Sequence, residues 1–408
     1  MPRWAVGAAL LLASLGIAAA AGAQLTVRVS ALPASTPAGA AIHVAGSFNG
    51  WNPASPGDTL SRQPGGEYAF TLPGSARGHV EFKFALGAWD RVETTVSGGA
   101  VANRQVTVPS TGAVVIDASI AGWAVPGLRS APASTASHSV SILSDSFPMP
   151  QLSRTRRIWL YLPPGYATST RRYPVLYLQD GQNLFDAATS FAGEWGIDET
   201  LDSLHARGDR GAIVIGVDHG GSHRLDEYNP WVSPGGRNGG GEGDRYVDFL
   251  VHTLKPYVDR HLRTRPGRLD TAVGGSSAGA VIALYAALKH PDVFGRAAIF
   301  SAASWLAGDS LDELARHPTR GRPSSRLYFV SGAFETPDGQ PALDQRGIVR
   351  TLVTSGHPGA DIRSLTPADG KHAEWFWRRE FPEAYRWLFE ARRRTRTRTS
   401  ATVRRRAH

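Results

Sequence analysis

The stretch TAVGGSSAGAVIALYAAL, residues 271–288, constrains this chain more than any other. A short apolar run leads into Gly275, Ser276, Ser277, Ala278 and Gly279, and an Ala/Leu-rich segment with helical spacing follows. This is GxSxG set between a strand and a helix, a sharp elbow that holds a serine hydroxyl exposed at the end of a sheet. Both glycines have a steric reason: the serine takes a strained backbone conformation, and side chains beside it would strike the strand and the helix that leave the turn. Ser277 is therefore the candidate nucleophile. Ser276 fits less well, because in its frame the closing glycine becomes Ala278.

The surroundings of the elbow set the fold. Apolar runs at 156–166, 173–181, 211–218, 269–276, 295–301 and 326–332 alternate with helical segments such as GDRYVDFLVHTLKPYVDRHL. Several runs are apolar throughout, as parallel strands buried on both faces must be. Residues 139–390 are thus expected to form an α/β domain, a mostly parallel sheet flanked by helices, with its chemistry at the carboxyl ends of the strands.

A neutral serine hydroxyl is a poor nucleophile and needs a base. The histidines after the elbow are His290, His317, His357, His372 and His408. His290 and His357 each precede a proline and read as helix terminators. His372 stands in a loop after the last strand candidate, DIRSLTP, and before an amphipathic helix, from which it can reach back to the elbow. The orienting acid should follow another strand. Glu335 lies just beyond the run at 326–332 and Asp338 three residues further, and either could hold the imidazole; Glu335, nearer the strand end, is preferred. The order Ser277, Glu335, His372 is that of α/β hydrolases. For the oxyanion, one donor should be the Ala278 amide at the helix start. A second should come from the Gly181, Gln182 and Asn183 amides after an early strand, with Gln182 preferred; losing one such donor typically costs about 3 kcal/mol of barrier.

Ahead of this domain, residues 25–123 carry short β-rich runs about every ten residues, with Gly/Pro punctuation, and read as a small antiparallel β-sandwich. Residues 124–138, rich in Pro, Ser and Ala, read as a linker. Residues 1–23 have a basic Arg3, an apolar core from Ala5 to about Ala20 and a small-residue site at Ala21, Gly22 and Ala23, so export through a signal peptide to the periplasm or outside is expected. No later segment is long and apolar enough to span a bilayer. The formal charge is +9, but residues 391–408 hold eight arginines and no acid, which leaves about +1 (9 − 8) elsewhere. That tail reads as disordered, and without interleaved aromatics it gives no case for nucleic acid. The chain has no cysteine, so thiol chemistry and Cys-based metal sites are excluded; no HExxH-type spacing is present, and neither metal nor cofactor is expected.

Two resemblances follow from these residues. LYLQDGQNLFD (176–186), HRLDEY (223–228), VGGSSAGA, SGAFE (331–335) and GKHAEWFW resemble the esterase family that includes enterochelin esterases and feruloyl esterases, over nearly all of 139–390. This implies carboxylic ester hydrolysis through a serine acyl-enzyme, with Arg224 and Glu227 as an ion pair holding a loop. Trp195, Trp231 and Trp305 are open between acyl pocket and core. GSFNGWNP (46–53), VEFKFALGAWDRVE (80–93) and ANRQVTVP (102–109) resemble starch-binding and glycogen-binding modules. The matching positions Trp51, Lys83 and Asn103 imply a sugar surface, since an indole stacks on a pyranose while Lys and Asn donate to its hydroxyls. The second stacking tryptophan departs from that pattern: Val92, Glu93 and Thr94 occupy its place, and Trp89 sits earlier. Three functions stand side by side: a secreted serine esterase on a small-molecule or glycan-linked ester, with an α-glucan or other polysaccharide as the partner its first domain would hold; an acyltransferase with the same triad; and a glycan-binding protein with an inert hydrolase domain.

Overall fold

The computed structural model describes residues 24–389, apart from 50, 74–77, 100, 102, 109–110, 126–132, 191–192, 234–238, 318–322 and 337. The expected signal peptide, the arginine tail and half of the expected linker therefore lie outside the described residues. The chain divides into two compact units, one ending at Ala124 and the other starting at Val125.

The second unit is built on an eight-stranded sheet. In chain order its strands are β1 (Val140–Met149), β2 (Arg154–Tyr161), β3 (Val175–Gln179), β4 (Ile213–Val217), β5 (Thr271–Ser276), β6 (Arg296–Phe300), β7 (Arg326–Val330) and β8 (Ile362–Leu365). Across the sheet they run β1-β2-β4-β3-β5-β6-β7-β8. The pairings from β4 to β8 are all parallel, while β2 is antiparallel to both neighbours. The sheet is mixed at one edge and parallel over the rest, as the uniformly apolar runs require. Alternation shows why those runs must be apolar: Val175 and Tyr177 of β3 enter one core, Leu176 and Leu178 the other. The principal helices are α1 (Ile197–Ala206), α2 (Gly243–Phe249), α3 (Lys255–His261), α4 (Ala278–Lys289), α5 (Ser310–Arg316), α6 (Gln340–Thr354) and α7 (Glu374–Phe389). Helices α2 and α4 pack into the first core, α1 and α7 into the second.

The first unit has a four-stranded sheet, ordered Ser61–Arg62, Tyr68–Thr71, Gln24–Val29, Ala113–Ala118, and a three-stranded sheet of His43–Gly46, Gly78–Ala85 and Arg104–Val108. Leu25, Val27 and Val29 from one and Val44, Val80, Phe82 and Phe84 from the other share a single apolar core. One pairing departs from the all-antiparallel expectation: Gln24–Val29 and Ala113–Ala118 run parallel. No hairpin joins these two strands, so no turn dictates their relative direction.

Candidate active site

Ser277 follows β5 directly and caps α4 with φ 56° and ψ −124°, a conformation that L-residues adopt only when their surroundings impose it. Two glycines permit this. A Cβ at Gly275 would lie 2.7 Å from the Gly279 carbonyl, and one at Gly279 would lie 2.9 Å from Gln179 Cβ and 3.2 Å from Asp180 Oδ2. Within 271–287 only Ser277 is not buried, whereas Ser276 is 6% exposed. The elbow thus presents one of its two serines.

The strand ends beside it carry the other two groups. Ser277 N–H donates to the Phe300 carbonyl at 3.0 Å, which ties the elbow to the end of β6. The next residue, Ser301, is fully buried at φ 46°, and its Oγ donates to Glu335 Oε1 at 2.5 Å. Gly332 N–H donates to the same oxygen at 2.6 Å. The other oxygen, Glu335 Oε2, lies 3.0 Å from His372 Nδ1. Both carboxylate oxygens are engaged in a buried site, so the group is held as an acceptor facing the imidazole. Asp338 is used differently: its Oδ1 accepts from Thr336 Oγ1 and from Gln340 N–H, at the start of α6.

A backbone crossing brings acid and histidine together. A Cβ at Gly332 would fall 2.2 Å from the Gly370 carbonyl oxygen, and one at Gly370 would fall 2.6 Å from Gly332 Cα. The loop after β7 and the loop before α7 can therefore touch only as glycine on glycine. Behind the imidazole, Trp377 stands edge-on to His372 with centroids 5.3 Å apart, and its Nε1–H donates to Ser301 Oγ at 2.9 Å. Ser301 and Trp377 escape sequence reasoning. The one hint is that Ser301 ends a strand beside the elbow's strand.

At the other side of the elbow, Ala278 opens α4, where the first amides have no intrahelical acceptor and the helix dipole favours negative charge. Gln182 lies in the turn Gly181–Asn183 after β3; its Oε1 accepts from His219 N–H at 3.3 Å and its carbonyl from Thr189 Oγ1 at 2.8 Å. The close approach of Gly279 to Gln179 and Asp180 sets this turn against the start of α4. Asp180, at φ 56°, receives Arg224 as a fork at 2.7 and 2.9 Å. Burial opposes its charge, but the guanidinium outweighs it and holds the carboxyl below its ordinary range. Arg224 therefore braces Asp180, while Glu227 takes Arg154 and Arg156 at 2.8 and 2.7 Å. The loop is held by ion pairs as the resemblance implies, with different partners. His357 is buried against the Ser325 carbonyl, and His290 caps the end of α4. Trp195 is core at 2% exposure, Trp231 packs on Tyr285, and Trp305 is exposed.

In the first unit, Trp51 (φ 59°) and Trp89 lie with ring centroids 6.3 Å apart and planes at 39°. The shifted sequence position of Trp89 thus still brings it beside Trp51. Lys83 is 8% exposed, and Asn103 Nδ2–H donates to Glu81 Oε2 at 3.0 Å.

A family model described as "Putative esterase" matches residues 150–388. The uncharacterized protein YbbA of Bacillus subtilis is 24% identical over 252 residues, 59% of this chain and 95% of its own. An alpha-amylase of Niallia circulans is 41% identical over 100 residues at the N-terminal side, 24% of this chain and 8% of the amylase. Among solved structures, the enterobactin esterase FES of Shigella flexneri shares the fold at a TM-score of 0.50 and 17% identity, covering 86% of this chain and 88% of its own.

Proposed function

Because this chain belongs to the esterase family, and is with it a carboxylic ester hydrolase, we propose that it works through Ser277, His372 and Glu335 by way of an acyl-enzyme. The observation that carries this reading is Glu335 Oε2 at 3.0 Å from His372 Nδ1, beside an elbow whose serine alone is unburied. With Nδ1–H donated to Glu335, the imidazole presents Nε2 as base. Ser277 Oγ attacks the ester carbonyl as its proton passes to His372. The negative oxygen that forms is met by the Ala278 and Gln182 amides. His372 returns the proton to the leaving alcohol, then draws one from water, which attacks the acyl-serine and frees the acid and Ser277.

The reading also holds the enzyme on polysaccharide, which the Trp51–Trp89 pair and the similarity to an alpha-amylase support. Two indoles tilted by 39° suit a curved α-glucan chain better than a flat one, and tethering there raises the local enzyme concentration on carbohydrate-linked esters. Export is part of the proposal and rests on residues 1–23.

The test is hydrolysis of a short-chain p-nitrophenyl ester by the wild type, Ser277→Ala and Ser276→Ala. Loss with the first and retention with the second is the expected result; equal loss in both, or an inactive wild type across acyl lengths, overturns the assignment.

A further inference from the structure

The segment before β1 is fastened to the start of α1 by carboxylates. Ser134 Oγ and Thr135 N–H donate to Asp186 at 2.9 and 3.2 Å, Thr135 Oγ1 to Glu194 Oε2 at 2.8 Å, and Ser137 N–H to Asp198 Oδ2 at 2.7 Å. This part of the expected linker is thus built into the second unit. After those bonds are counted, Glu194 Oε1, Asp198 Oδ1 and Glu199 Oε2 are buried and accept no hydrogen bond among the described residues. Asp198 is fully buried. One oxygen from each of these three carboxylates lies within 4.8 Å of the others, and Arg378 Nη2 stands 3.8 Å from Glu199 Oε1. Three converging carboxylates, one of them sealed from water with an unused oxygen, call for a positive charge at their centre.

We propose that Glu194, Asp198 and Glu199 bind a calcium ion. The donor set is all oxygen, which suits a hard cation and offers no nitrogen or sulfur to zinc. Calcium holds oxygens at about 2.3–2.6 Å, so two of its ligands stand no more than about 5.2 Å apart, a limit that this trio meets. Magnesium, at about 2.0–2.1 Å in a strict octahedron, demands a tighter and more regular set. The spacing Glu-x3-Asp-Glu matches no calcium motif, and only the fold reveals the convergence.

The ion sits behind the triad. Trp195, next to Glu194, packs on Trp377 with centroids 5.6 Å apart, and Trp377 is the ring that backs His372. Calcium would lock the 134–137 segment, the start of α1 and this tryptophan pair into one unit. The competing arrangement is a proton shared between the Asp198 and Glu199 carboxyls, which needs no ion.

The experiment takes the full chain, treated with EDTA and dialysed, and titrates it with calcium chloride by calorimetry and thermal unfolding at pH 7.5. One calcium per chain and a rise in Tm of about 5 °C or more at saturation is the expected result, with a smaller rise for magnesium. Asp198→Asn and Glu199→Gln, each checked as folded by circular dichroism, should lose the calcium-dependent rise. The proposal is overturned if the wild type binds no calcium at millimolar concentration, or if both folded variants keep the full response. A Tm that Asp198→Asn raises in a wild-type background indifferent to calcium identifies the shared proton instead. None of these readouts passes through ester hydrolysis, so failure here leaves the esterase reading untouched.

Discussion

Glu335 is held from three sides, by Ser301 Oγ, Gly332 N–H and the His372 ring. Each contact removes a way for the carboxylate to turn from the imidazole, and this restraint is what fixes the tautomer of His372. Glu335→Gln should keep the geometry but favour the wrong tautomer, lowering kcat by about 10³–10⁴. Asp338→Ala should leave steady-state kinetics near wild type, which separates the two acids that the sequence left open. Ser301→Ala removes one neutral donor from a charged acceptor and should lower kcat by about tenfold with KM little changed. At this scale the sequence was partly readable. Ser277 shows itself through its glycines, and Glu335 and His372 through their places after strands. Ser301 and Trp377 do not, because their bonds span 34 and 76 residues and arise only when β6, β7 and α7 are packed.

Strand ends and the loops that leave them do the positioning. The Gly332–Gly370 crossing has no room for a Cβ, since one at Gly370 would also meet the Phe376 ring at 2.7 Å. Gly370→Ala should therefore push His372 from Glu335, costing about 1–3 kcal/mol in urea unfolding and a larger share of the activity. A different strain sits after β4. Burial pushes the Asp218 carboxyl up to about 6, although Trp159 Nε1–H donates to it at 2.7 Å. Between its unfolded value and about 6 the folded chain binds the extra proton, so this group's contribution to stability falls as pH rises through that window. Asp218→Asn keeps an acceptor for Trp159 and never ionises. Its Tm advantage over wild type should grow from pH 4 to pH 7 and then level off. The buried parallel strands were legible because both faces are apolar. The antiparallel β1–β2 edge and the parallel pair in the first unit were not, since direction depends on partners distant in sequence.

The whole molecule joins two compact units, and the sequence drew that division through its change of pattern from evenly spaced β-runs to alternating strands and helices. It also hid something: the Ser/Ala/Pro stretch that reads as a connector is, from Ser134 on, hydrogen-bonded to the catalytic unit. If the first unit serves to hold polysaccharide, Trp51→Ala and Trp89→Ala should each weaken binding to insoluble α-glucan severalfold, because each substitution removes an apolar ring face on which a pyranose stacks. Retention of both variants at the wild-type level would assign the pair to packing. The central claim, that one unburied serine at an elbow performs the chemistry, is tested most directly by covalent capture. The chain is incubated with a fluorophosphonate and its peptides are mapped by mass spectrometry. A single adduct per chain on Ser277, absent from Ser277→Ala, is the predicted result; an adduct on Ser276, or one that survives in Ser277→Ala, would contradict it.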